Sequence, residues 1–156
     1  MANASETPFH HLMHDVLDNL GLAGTPASES GIYTIGVDKK IEIHIATPDD
    51  ITVLLFSSVH DFGADGLTLP KAKLLLARNA MQTAWAPTVW LSSENKAVVW
   101  TKKALNELTP TRFLELFDAF LDQALDVYDE IHGKHTEPEG TARQTVGEHY
   151  LLGMKA

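Results

Sequence analysis

The chain of 156 residues has no cysteine. That excludes disulfides, thiolate metal sites and cysteine nucleophiles, and it fits a reducing compartment. No apolar run approaches the ~20 residues that span a bilayer. The opening MANASETPFHHLMHD has neither a basic region nor an apolar signal core, so secretion by the general route is not expected. Bases are scarce as well: 12 Lys and Arg stand against 21 Asp and Glu, for a formal net charge of −9. The nearest approaches to a basic cluster are Lys39-Lys40, Lys71/Lys73 and Lys102-Lys103. Phosphates are neutralised by a basic footprint, so nucleic acid is not an expected partner. Such acidity favours solubility and suits a partner carrying positive charge. A G-x-S-x-G elbow, an H-E-x-x-H pair and a phosphate-cradling glycine loop are also missing. No catalytic residue, metal or cofactor is expected.

What is present suffices for one domain with a core of its own, since 44% of the residues are hydrophobic. The spacing predicts a helix over about Pro8–Leu20. Thr7 can cap it, Pro8 suits its first position, and Phe9, Leu12, Met13, Val16, Leu17 and Leu20 make one apolar face. After the loop AGTPASESG come three strands, GIYTIGV, IEIHIA and ITVLLFSSV. Asp38-Lys39 and Thr47-Pro48-Asp49-Asp50 separate them, and connections this short make an antiparallel meander. In the second strand Ile41, Ile43 and Ile45 face one way, with Glu42 and His44 opposite. In the third, Ile51, Val53 and Leu55 are expected in the core. Leu54 and Phe56 then point to the other side, where Tyr33, Ile35 and Val37 are candidates to join them.

A second helix is expected at Pro70–Ala84, apolar nearly all round and therefore covered on more than one side. TVWLSSENKAVVW reads as two short strands. The stretch LTPTRFLELFDAFLDQALDVYDEIHG reads as a long helix capped by Thr109 and started by Pro110. Phe113, Phe117, Phe120, Ala124, Val127 and Ile131 form one apolar series, and Leu114, Leu121, Leu125 and Tyr128 a second. Together they are wide enough to cover a sheet, while Glu115, Asp118, Asp122, Asp126 and Asp129 take the solvated side. Residues 1–132 are thus read as one α+β domain, an antiparallel sheet of about five strands with three helices in the order α-β-β-β-α-β-β-α. Residues 133–156 are read as a polar, flexible tail.

Several residues invite a chemical reading. His10, His14 and Asp18 recur at one-turn intervals, a spacing able to hold a metal, but no third strong ligand is evident and a solvated face is the plainer reading. His132, His135, Glu137 and His149 are scattered. Ser57, Ser58, His60 and Asp61 are neighbours on one strand and point apart, unlike a converging triad. Leu54 and Phe56 are read either as buried under a loop or as a patch for another chain. Trp85, Trp90 and Trp100 are read either as core or as a subunit interface, where tryptophan is enriched.

This order of elements, with IGVDKKIEIHIATPDDITVLLFSSV and LTPTRFLELFDAFLDQALDVYDEI, resembles the class I type III secretion chaperones, the CesT/Tir-chaperone family, over about Thr7 to His132. The resemblance implies a cytoplasmic bacterial homodimer without enzymatic activity. It implies that the dimer holds the N-terminal region of one or more secreted effectors in extended form, keeps them soluble and presents them to the secretion ATPase. By the same resemblance the effector segment meets Leu12, Val16, Tyr33, Ile35, His44, Leu54 and Phe56, often adding a strand to a sheet edge, and two copies meet through Leu76, Met81, Trp90, Val98 and Trp100. A regulatory or scaffolding module of the same fold, binding a folded partner, is the competing expectation.

Overall fold

Residues 7–79 and 86–133 are described by the structure, a computed structural model. Helix α1 spans Pro8–Asn19, and the Thr7 side chain accepts a hydrogen bond from the His10 amide at its start. Its stripe of Phe9, Leu12, Met13, Val16 and Leu17 is buried. Strands β1 (Tyr33–Val37), β2 (Ile41–Ala46) and β3 (Thr52–Asp61) follow as the expected meander. Asp38 and Lys39 both adopt positive φ, 52° and 55°, and the Lys40 amide donates to the Val37 carbonyl. That is the turn whose twist matches a right-handed hairpin. At the next turn the Asp49 carboxylate accepts from the amides of Ile51 and Thr52 and from the Thr52 hydroxyl. Asp49 is a turn cap.

Helix α2 is Leu69–Ala77, β4 is Thr88–Leu91, β5 is Lys96–Ala104, and a short 3-10 turn at Leu105–Glu107 leads into α3, Pro110–Ile131. The sheet order is β1-β2-β3-β5-β4, antiparallel throughout. Helices α1 and α3 pack against one another, and α3 lies on β3 and β5. The core is therefore a single layer of side chains between the helices and one face of the sheet. Phe113, Phe117, Phe120, Ala124 and Val127 of α3 meet Ile43, Ile45, Val53, Leu55 and Val99 there, all fully buried.

The structure corrects four expectations. Helix α2 was expected to reach Ala84; it ends at Ala77 and passes into a turn at Arg78 and Asn79, and residues 80–85 lie outside the described residues. Nor is it covered all round within the protomer, since Leu75 is its one buried residue and Leu69 and Leu76 are exposed. Ile51 precedes β3 and is 69% exposed rather than in the core. Leu116, in neither apolar series expected of α3, is buried. Of the expected tail, 133–156, residues 134–156 lie outside the described residues.

Candidate functional site

With α1 and α3 on one side of the sheet, the other side is left to solvent. Its side chains follow from the register. Thr34 pairs with His44, His44 with Phe56, Phe56 with Trp100, and Trp100 with Thr88, making one row across all five strands. Ser58 pairs with Val98 and Val98 with Trp90 in the next row, and Ala46, Leu54 and Lys102 make a third. The apolar members cluster on β3, β5 and β4. Leu54, Phe56, Val98 and Trp100 are half-buried and Trp90 is 56% exposed. With Thr88 and Val89 they line a shallow groove of ≈ 580 Å³. Exposed contiguous apolar surface of this kind marks an interaction site more often than scattered single residues do.

The groove joins residues expected in two different places. Leu54 and Phe56 were expected to meet an effector segment, and Trp90, Val98 and Trp100 a second copy. The insertion of β5 between β3 and β4 makes them one surface, because Phe56 and Trp100 are direct cross-strand partners. His44 borders it, its ring 5.0 Å from that of Phe56 and its Nδ1 3.0 Å from the Thr34 hydroxyl.

Five expected members are not on this face. Tyr33 and Ile35 pair with Ile45 and Ile43, and direct partners share a face, so both turn toward the helices. Val37, paired with Ile41, goes with them. Leu12 and Val16 belong to the stripe of α1 that packs on the core. Leu12, Val16, Tyr33 and Ile35 are thus core residues of the protomer and are not part of this outer face. Leu76 is exposed on α2, and Met81 and Trp85 lie outside the described residues.

Other pockets lie elsewhere on the described residues. One, of ≈ 520 Å³, is lined by Gly36, Lys39, Lys40, Ile41, Glu42, His44 and Ser58. Lys40 also pairs with Asp129 of α3 at 3.3 Å. Another, of ≈ 600 Å³, opens at the start of α1 and is lined by Pro8, Leu12, Asp50, Ile51, Thr52, Ala104, Leu105, Asn106 and Leu108.

The polar candidates do not converge. The His10 ring meets the Thr7 hydroxyl at 2.7 Å, whereas His14 faces Asp18 at 3.5 Å. Among the described residues no group of three His, Cys, Asp or Glu side chains is placed to hold a metal ion. Ser57 points into the core and Ser58 out of it, and Asp61 caps the Gly63 amide. A register shift between Ser58 and His60 re-aims His60 to the helical side. There its ring lies 4.6 Å from Phe62 and 4.8 Å from His132. Burial, with the charges of His132 and Lys71 adding, lowers its pKa below the ordinary 6.5.

On α3, Glu115, Asp122 and Asp126 are exposed, Asp129 takes Lys40, and Glu130 takes Arg78, just past the end of α2. Asp118 is half-buried, and burial followed by the charge of Asp122 raises its pKa. Sequence reasoning missed Asn79. Its amide donates to the Val89 carbonyl at 2.8 Å and accepts from the Val89 amide at 2.9 Å, so it seals the outer edge of β4 as another strand would. No local pattern signals this, because the contact depends on where α2 ends.

The fold itself is shared with solved structures. A chain of the HopA1–SchA chaperone–effector complex matches with a TM-score of 0.67 at 13% identity, covering 83% of this chain and 99% of that one. The ExsC–ExsE complex matches at 0.65 and 17%, covering 78% and 91%. The Yersinia pestis type III secretion chaperone SycH, in complex with a stable fragment of YscM2, matches at 0.58 and 16%, covering 75% and 97%. No curated protein matches the sequence. The model of the Tir chaperone protein (CesT) family matches residues 11–127, which is most of the chain. The chain belongs to the Tir chaperone protein (CesT) family.

Proposed function

We propose that this protein is a cytoplasmic, non-catalytic type III secretion chaperone. It holds the N-terminal region of one or more effectors in extended form and keeps them soluble for delivery to the secretion ATPase. One observation carries the reading: in a chain of this family, the sheet face opposite the helices bears a contiguous apolar groove. A disordered client loses chain entropy when it binds, and only a sizeable apolar surface offsets that loss. Shape-tolerant apolar contact needs no catalytic group. The excess of acids favours clients with basic stretches.

The outer face divides along the β3–β5 boundary. Leu54 and Phe56, with His44 beside them, take the effector segment. Trp90, Val98 and Trp100, with Leu76 from α2, meet a second copy, so that the client lies beside the dimer seam. The test is capture of bound proteins from the native bacterium by the wild type and by Leu54→Asp, Phe56→Asp and Trp90→Asp, with retained segments identified by mass spectrometry. The expected result is secreted proteins held near their N-termini, released by the first two variants, while Trp90→Asp alone dissociates the dimer in sedimentation. Capture of folded cytosolic partners alone, or of effectors held equally by Leu54→Asp and Phe56→Asp, would overturn this assignment.

A further inference from the structure

Beyond Gly133 the sequence is largely polar until Tyr150-Leu151-Leu152-Gly153-Met154, its one apolar and aromatic run. We propose that this run docks in the client half of the outer groove of its own protomer when no client is bound, as a tethered placeholder over Leu54 and Phe56. The inference rests on the client role given to that groove.

Reach is the first support. His132, just past the end of α3, packs on His60, and His60 pairs with Ala97, next to the row of Ser58, Val98 and Trp90. The end of α3 is therefore about 7 Å along the strands from the groove and roughly 10 Å away through the sheet. Residues 134–149 extend to about 50 Å at most, and a flexible chain of that length averages ~20–24 Å. Such a tether rounds the sheet with slack. Charge is the second support. Exposed Lys39, with Lys40, lines the pocket of ≈ 520 Å³ together with Glu42, His44 and Ser58, and the Lys40–Asp129 pair sets that basic turn beside the last turns of α3. Glu137 and Glu139 come early in the tether, and their charge is complementary to that turn.

Tethering makes weak affinity sufficient. An effective concentration of order 1 mM half-fills a groove whose affinity for the run is about 1 mM. A client of micromolar affinity then displaces it. The placeholder covers apolar surface between clients without competing with them strongly.

The test uses the full chain and the hydrophobic dye 1-anilinonaphthalene-8-sulfonate, with circular dichroism to verify the fold of each variant. Leu151→Asp/Leu152→Asp is expected to raise dye fluorescence about twofold, as a half-filled groove is vacated. Adding Leu54→Asp is expected to cancel the rise. No rise in the tail variant, or a rise that Leu54→Asp leaves intact, overturns the placeholder. Dye fluorescence insensitive to both changes places a second copy over the whole groove and also overturns it. Effector capture lost in Leu54→Asp but unaffected by the tail substitutions would leave the client groove standing and sink the placeholder alone.

Discussion

Replacing Asn79 by alanine tests how the sheet is closed. Its carboxamide makes two hydrogen bonds to one residue, Val89, whose side chain is buried and whose strand is the sheet's edge. A net hydrogen bond is worth about 0.5–1.5 kcal/mol, and a buried group left without a partner costs about 1–3 kcal/mol. Asn79 is half-buried, so water reaches part of the gap, and the expected loss is about 2 kcal/mol. Asn79→Asp is the sharper variant. It keeps the acceptor for the Val89 amide but sets a carboxylate oxygen against the Val89 carbonyl, so at neutral pH it should cost at least as much as alanine. The assay is urea unfolding at fixed protein concentration, because a dimer's stability depends on concentration. With a slope of ~2 kcal/mol per molar, the midpoint should fall by about 1 M. Amide exchange at Val89 should quicken. A midpoint within about 0.2 M of wild type for either variant would refute the seal. The consequence is functional: an added strand meets satisfied groups at Val89, whereas β1 is the sheet's other edge.

Three further outcomes follow from particular contacts. Phe117→Ala empties a fully buried site between the helices and should cost about 3–5 kcal/mol in urea unfolding, far more than Leu76→Ala on the exposed side of α2. Lys39→Gly relieves a non-glycine residue of a φ of 55° and should raise the melting temperature, with a net gain of about 0.5–1 kcal/mol after the glycine's greater unfolded-state freedom; a fall would contradict the turn. The lowered pKa of His60 means that the unfolded chain binds more protons below about pH 6.5. Stability from this group is fully present above that pH and is lost as pH falls toward the depressed value. The gap in melting temperature between pH 7.5 and 5.5 should therefore shrink in His60→Phe, and an unchanged gap would place the titration elsewhere.

Most of the fold was legible because its signals are local. Thr7-Pro8 and Thr109-Pro110 mark two helix starts, and both threonines cap as their position suggests. The alternation of Ile41, Ile43 and Ile45 set the phase of β2, and Leu54 and Phe56 were placed correctly opposite Val53 and Leu55. Tyr33 and Ile35 were misplaced by treating β1 as free to choose its face. A tight turn between Val37 and Lys40 couples β1 to β2, so the phase of the isoleucines already decided it. Leu12 and Val16 lie in the buried stripe of α1, and a helical stripe cannot by itself say which partner covers it.

The union of two expected surfaces into one groove depends on strand order, which is a long-range property. TVWLSSENKAVVW reads as a hairpin whichever of its strands lies beside β3. Yet the two strands are unequal. β5 has nine residues, with Ala97, Val99 and Thr101 buried on one side and Val98 and Trp100 half-buried on the other, whereas β4 has four. A strand apolar on both sides belongs inside a sheet, and a short one belongs at its edge, where fewer unpaired groups invite aggregation. That inequality, with Asn79 sealing the edge at Val89, favours the order β3-β5-β4. It also sets Trp100 directly beside Phe56, so Trp100→Asp should weaken the dimer in sedimentation and client capture together, whereas Leu54→Asp and Trp90→Asp, at the two ends of the groove, should each affect only one.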